Sequence, residues 1–138
     1  MGGFKVYTTD DGRNMPVEYL AAGKITPQLG MALLQKDGKL DTAKGAERPV
    51  YISMTERTEP CVDGEIIPVL RVGPDVVWET TASADMKSVK PGTKVTISTD
   101  GMEITSTAGG AAEVIGMDGT DVGSRVRVRF GVGCADCE

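Results

Sequence analysis

Cys134-Ala135-Asp136-Cys137 is a CxxC, the spacing of half a zinc site or of a thiol–disulfide pair. A structural zinc site needs two further ligands, and the chain offers only Cys61 and no histidine. A redox pair of the thioredoxin type uses a helix N-terminus to lower its thiol pKa, and no such helix is expected here. The three cysteines therefore read as structural or incidental thiols, with a disulfide between neighbouring tails as the alternative. The lack of histidine also removes Ser-His-Asp and Cys-His nucleophile systems and the usual proton shuttle near neutral pH. Asp10-Asp11-Gly12-Arg13-Asn14 and Asp118-Gly119-Thr120-Asp121 cluster oxygen ligands, but neither completes a calcium loop. Both read as turns. Serine and threonine are plentiful, as in Thr80-Thr81-Ala82-Ser83, without a base beside them. Ala108-Gly109-Gly110-Ala111 lacks the Lys-Ser/Thr pair of a phosphate loop. No catalytic residue, cofactor or metal site is expected.

One constellation concerns binding instead. Arg125, Arg127 and Arg129 alternate with Val126, Val128 and Phe130. In a strand this sets three guanidinium groups on one face and three apolar groups on the other. The plain reading is a solvated outer face. The functional reading is a cationic stripe that docks on carboxylates of a neighbouring subunit, where arginine makes paired planar contacts.

The elements that would position these groups repeat along the chain. Ala32-Leu33-Leu34-Gln35-Lys36-Asp37-Gly38 lines up with Val95-Thr96-Ile97-Ser98-Thr99-Asp100-Gly101, and Tyr51-Ile52-Ser53-Met54 with Val114-Ile115-Gly116-Met117. Both matches use one offset, since 100 − 37 and 117 − 54 each give 63. The segment from Pro27 to Gln35 has helix-favouring residues, but its counterpart, Lys94 to Thr99, alternates β-branched side chains, so both read as strands. Each turns at Asp-Gly into a short partner, Lys39 to Thr42 or Met102 to Thr107. Asp-Gly occurs five times, beginning at Asp11, Asp37, Asp63, Asp100 and Asp118, with short runs such as Val50 to Met54, Ile66 to Val72, Val76 to Thr81 and Val126 to Phe130 between them. Short strands at this spacing predict an all-β fold, a small barrel- or sandwich-like body built from two tandem related β units. Pro68 inside its run points to an edge strand or a bulge. The expected divisions are an N-terminal arm over 1–16, a first unit over 17–72, a second over 73–130 and a C-terminal tail over 131–138. Val72-Gly73-Pro74-Asp75 is the junction, and Trp78 is the largest core candidate of the second unit. Phe4, Val6 and Tyr7 of the arm are candidates, with the three arginines, for a protein interface. The arm is expected either to order on a neighbour or to be an ordinary frayed terminus, and its removal to leave the body folded.

Bulk properties narrow the partners. Of 138 residues only 4% are aromatic, which leaves few large side chains for a core and favours burial against another subunit. A net charge of −5 gives no basic excess for nucleic acid. No apolar run approaches the roughly 20 residues that span a bilayer, and Met1-Gly2-Gly3-Phe4-Lys5 is unlike a signal peptide. Synthesis in a cytosol is expected, with no membrane partner.

Gly38-Lys39-Leu40, Pro49-Val50-Tyr51-Ile52-Ser53-Met54 and Gly64-Glu65-Ile66-Ile67-Pro68-Val69 resemble the small capsid-associated proteins of tailed phages: head-decoration or cement proteins and head-fibre bases. The resemblance spans about residues 17 to 130 and rests on pattern more than on invariant motifs. It implies a β-rich, non-catalytic virion protein that binds the major capsid protein on the outside of the expanded shell as a homo-oligomer, often a homotrimer. The tail from Cys134 to Glu138 has no counterpart in that pattern. A tail- or fibre-associated virion component is the related alternative. A soluble β-barrel that binds a small ligand or glycan is the alternative of another class, and it needs exposed aromatics in a concave site.

Overall fold

Alternating apolar and polar side chains become strands along most of the chain. In the computed structural model the described residues are 3–9, 16–73 and 76–130, none of them helical. They form eleven strands: β1 (Lys5–Thr9), β2 (Val17–Ala22), β3 (Ala32–Lys36), β4 (Lys39–Thr42), β5 (Tyr51–Ser53), β6 (Glu65–Arg71), β7 (Val76–Thr81), β8 (Lys94–Ile97), β9 (Ile104–Ala108), β10 (Ala112–Met117) and β11 (Arg125–Phe130). The fold is all-β. Helix propensity around Leu33 and Leu34 yields to pairing with β4 on one side and β5 on the other.

The first half is a closed barrel in the order β2-β4-β3-β5-β6. Its closing contact is a single parallel pair, Ala22 with Leu40, and the Gly23 N–H donates to the Leu40 carbonyl at 2.9 Å. Leu33, Leu40, Ile67 and Val69 fill its interior with no exposure. The β3–β4 hairpin turns on Asp37 and Gly38, whose φ values of 52° and 79° both lie in the left-handed region. A two-residue hairpin turn needs that conformation twice, and Asp-Gly supplies it at low cost.

The second half is a six-stranded sheet in the order β1-β7-β11-β10-β8-β9. Without β1, its pairing order repeats that of the first half, with β7, β11, β10, β8 and β9 in the places of β2, β6, β5, β3 and β4. Even the closing contact recurs: Ala82 bridges Ile104 in parallel, and the Ser83 N–H donates to the Ile104 carbonyl at 2.8 Å. The constant 63-residue offset does not hold throughout. Ala32 faces Ile52, whereas Val95 faces Ala112, so β5 and β10 correspond at an offset of 112 − 52, or 60. The loops absorb the difference. The turn between β8 and β9 has six residues (98–103) against two (37–38), and the next connection has three (109–111) against eight (43–50).

The two halves share a core because β3 and β5 bury both faces. Leu33 and Tyr51 point into the first barrel, while Ala32 and Ile52 face Trp78, Phe130, Val95 and Ile97 in the second cluster. Valine, isoleucine and alanine fill most of the space that the scarce aromatics leave, and Trp78 is fully buried at its centre.

Two expectations change. The segment set apart as an arm over 1–16 belongs to the body over residues 4–9. Phe4 is 2% exposed and meets Phe130 edge to face at 5.4 Å, and β1 pairs antiparallel with β7. The reason is a vacancy in the pairing scheme: β1 occupies the flank of β7 that corresponds to the β4 side of β2. Asp10 to Met15 lie outside the described residues, as do Pro74 and Asp75 of the expected junction. Pro68 does not mark an edge strand either, because β6 is flanked by β2 and β5. Its carbonyl accepts from the Met54 N–H at 3.0 Å just past the end of short β5, so the N–H that proline lacks falls where the pairing runs out.

Phe4→Ala is expected to cost about 3 kcal/mol in urea unfolding, the usual toll of truncating a buried aromatic. Gly30→Ala should also destabilise the protein, since its Cβ would sit 2.7 Å from the Phe4 nitrogen at a φ of +86°. Deleting residues 1–14 removes the same anchor, so the truncated protein should melt below the full chain.

Candidate interaction site

Along β11 the alternation sorts side chains as the sequence implies. Val126, Val128 and Phe130 are buried, and Arg125, Arg127 and Arg129 lie on the opposite face. The three arginines do not form one free stripe. Arg127 stands opposite Glu79 on β7, which stands opposite Lys5 on β1, so a transverse row of alternating charge crosses three strands. Arg127 Nη2 donates to Asp118 Oδ1 at 2.9 Å, and Nε lies 3.4 Å from Glu79 Oε2 without making a hydrogen bond. Lys5 Nζ approaches the other Glu79 oxygen at 3.7 Å. Residue 129 is half-buried and paired across the ladder with Glu113, and Arg125 is exposed.

Tyr7 completes the arrangement. The β1–β7 register shifts between Val6 and Thr8, and this bulge puts the Tyr7 ring 4.5 Å from the Arg127 guanidinium. A cation over a ring face is attracted by the ring quadrupole. Desolvation acts to lower the Arg127 pKa, but the Asp118 hydrogen bond and the charges of Asp118, Tyr7 and Glu79 outweigh it and raise the value. The guanidinium is thus a fixed cation held by its own chain.

Of the interface candidates, Tyr7 and Arg127 are brought together and Arg125 faces solvent. Phe4 and Val6 turn into the core instead. Sequence reasoning missed Glu79, Lys5 and Asp118. The available signal was one carboxylate, Glu79, directly after the apolar run Val76-Val77-Trp78, a position where a charge needs a cation across the ladder.

Among the described residues, open clefts lie away from this face. One of about 370 Å³ lies along the seam of the halves, lined by Gln28, Met31, Thr42, Asp100, Met102 and Glu103. The other, about 500 Å³, sits at the end of the first barrel beside Lys24, Lys36, Lys39, Asp37, Asp41 and Asp63. Its charges are largely paired: Lys39 with Asp63 at 2.7 Å, and Lys36 with Glu47 at 3.4 Å and Asp41 at 3.8 Å. Among the described residues no three acidic or cysteine side chains gather as metal ligands. Cys61 is buried and unbridged, with its thiol pKa pushed up by desolvation and by Glu65 against the pull of Arg57. Cys134 and Cys137 lie outside the described residues, as does the Asp10-to-Asn14 cluster. No described helix is long and apolar enough to cross a membrane.

No protein-family model matches the chain, and no curated protein matches it.

Arg127→Leu leaves the Glu79 carboxylate, 9% exposed, with only Lys5 nearby, and should cost about 2 kcal/mol in a urea titration. Adding Glu79→Leu should recover most of that loss, because the pair is then removed together. The acid limb of stability has a separate origin. Hydrogen bonds from Arg57 and Lys39 hold the Glu65 and Asp63 carboxyls below their ordinary values. Their contribution is present above the ordinary carboxylate pKa and is lost as pH falls through the depressed one. Glu65→Gln should flatten the melting-temperature profile in that window.

Proposed function

We propose that this chain is a non-catalytic virion protein that decorates and stabilises the outside of a tailed-phage capsid. It acts as a homo-oligomer, a homotrimer in the arrangement its sequence resemblance implies, bound to the major capsid protein after synthesis in the host cytoplasm. The observation that carries this reading is the body itself: two five-strand halves in the same pairing order, joined through one buried core. That repetition supports reading the halves as two related units. A rigid body of this kind offers several broad surfaces at fixed angles, which suits a bridge between shell subunits. Bound in many copies, such a bridge stabilises the shell by mass action, and cyclic symmetry matches a symmetric capsid site.

The contact with the shell runs through the exposed end of the β11 face, where Arg125 is free to meet carboxylates and Tyr7, 53% exposed, supplies an aromatic surface. Arg127 positions Tyr7 rather than reaching outward. Tail or fibre attachment shares this chemistry and differs only in the assembly that carries the protein. The ligand-binding alternative has the seam cleft in its favour, but no aromatic ring lines it.

Purified protein mixed with expanded shells should saturate defined positions in electron-microscopic reconstructions. Arg125→Glu should raise the concentration for half occupancy about tenfold, equivalent to ~1.4 kcal/mol. Shells that stay bare at saturating protein, or protein that co-purifies only with tails, would overturn the proposal.

A further inference from the structure

Four of the five Asp-Gly pairs lie among the described residues, and the structure treats them unequally. Such a pair carries a latent reaction of its own. The glycine nitrogen can attack the carboxyl carbon of the preceding side chain, because glycine has no Cβ to obstruct the approach. The new C–N bond closes a five-membered succinimide, and the carboxyl hydroxyl leaves as water with the amide proton. Water then adds at one of the two ring carbonyls. Opening at the side-chain carbonyl regenerates aspartate; opening at the main-chain carbonyl leaves isoaspartate, with the chain running through Cγ. The step needs no oxidant or co-reactant beyond water. It does need a carboxyl group free to turn and a glycine N–H that is not held in a hydrogen bond.

Three of the four pairs are tied down. Lys39 binds the Asp63 carboxylate at 2.7 Å, and the Gly64 N–H donates to the Ala22 carbonyl at 2.7 Å. Asp100 accepts from Ser98 Oγ at 2.6 Å and from the Met102 N–H at 3.0 Å. The Gly101 N–H donates to the Ser98 carbonyl at 3.0 Å. Arg127 holds Asp118 at 2.9 Å, and Ser124 crowds Gly119, its Oγ 3.0 Å from where a Cβ would stand. Of the four, only Asp37-Gly38 is open. Among the described residues nothing bonds the Asp37 carboxylate or the Gly38 N–H, and both residues are exposed. A Cβ on Gly38 would meet no atom within 4 Å. Asp37 is also the one non-glycine residue at positive φ among the described residues. That conformation is costly for an L side chain, so excursions of the turn out of it are comparatively easy.

We propose that Asp37 is a self-modification site, where the chain isomerises to isoaspartate through a succinimide closed by the Gly38 nitrogen. The consequence follows from the hairpin. Isoaspartate adds one atom to the main chain between Lys36 and Lys39, which face each other across the turn. Turn geometry fixes the register of a hairpin, so the extra atom loosens the β3–β4 ladder from its tip. Leu40, the residue after that pair, is fully buried and makes the parallel contact with Ala22 that closes the first barrel. The modification thus acts next to the point where the barrel shuts. It proceeds in the isolated protein and does not depend on a capsid role.

Full-length protein held for weeks at physiological pH and temperature, then mapped by proteolysis and electron-transfer fragmentation, tests this. Isoaspartate should accumulate at Asp37 about tenfold faster than at Asp63, Asp100 or Asp118, the protection that one or two hydrogen bonds confer. In urea-denatured protein the four rates should converge, because each aspartate is followed by glycine. Asp11-Gly12 lies outside the described residues and is mapped apart from this ranking. As a second readout, Asp37→Asn keeps a residue that such hairpin turns prefer. It should undergo the same ring closure with loss of ammonia, seen in the folded protein as a mass gain after hydrolysis. The isomerised fraction, separated by chromatography, should melt below the unmodified chain. A rate at Asp37 no faster than at the other three in folded protein overturns the inference. So does a folded chain that stays unmodified while the denatured chain reacts, or an Asp37→Asn protein of constant mass.

Discussion

Everything in this molecule hangs on two strands whose faces are both buried. A strand sends alternate side chains to opposite sides, and in most of the first barrel one side meets solvent. At the start of β3, over Ala32 and Leu33, and throughout β5 neither does. Leu33 and Tyr51 close the first barrel, while Ala32 and Ile52 form a wall of the second cluster. The small Ala32 side chain lets the sheets approach, and the Gly101 N-terminal to Met102 accepts the same closeness: a Cβ there would stand 2.8 Å from Thr42. One seam therefore fixes the angle between the halves, and with it the relation of every outer surface to every other.

The same seam explains why so few aromatic side chains suffice. A single shared core needs filling once, and Trp78 with Phe130 and Phe4 occupies its widest part. Phe4 comes from the chain's beginning, brought in by β1 along an otherwise incompletely used flank of β7. The first half closes as a barrel through β4; the second is a sheet that β1 extends along the flank of β7. Tyr7 and Arg127 follow from that insertion, since the bulge in β1 carries the ring across to β11.

Electrostatics divides the surface in the same way. On the second half, charges are arranged in a row and satisfied across neighbouring strands. On the first, they are confined to the border and to the barrel's end, leaving an apolar field between. A partner meeting the second half encounters oriented charge and an aromatic ring, and a partner meeting the first encounters a neutral sheet.

Much of this was legible from residue order. Alternation in Ile66 to Arg71 and Arg125 to Phe130 gave strands and their buried sides, and Asp37-Gly38 gave a tight hairpin, because period-two patterns and positive-φ turns are local properties. The candidate site was half visible: the outward arginines could be read, but not that Glu79 and Asp118 hold the middle one. Pro68 looked like an edge residue because local sequence cannot reveal that the adjoining strand stops one residue short. Phe4 looked like a surface group because nothing nearby in the chain announces the β7 flank it travels to. A sequence determines which side chains alternate and where the chain reverses. Only the tertiary structure decides which alternating face is covered and by what, because the covering strands arrive from tens of residues away.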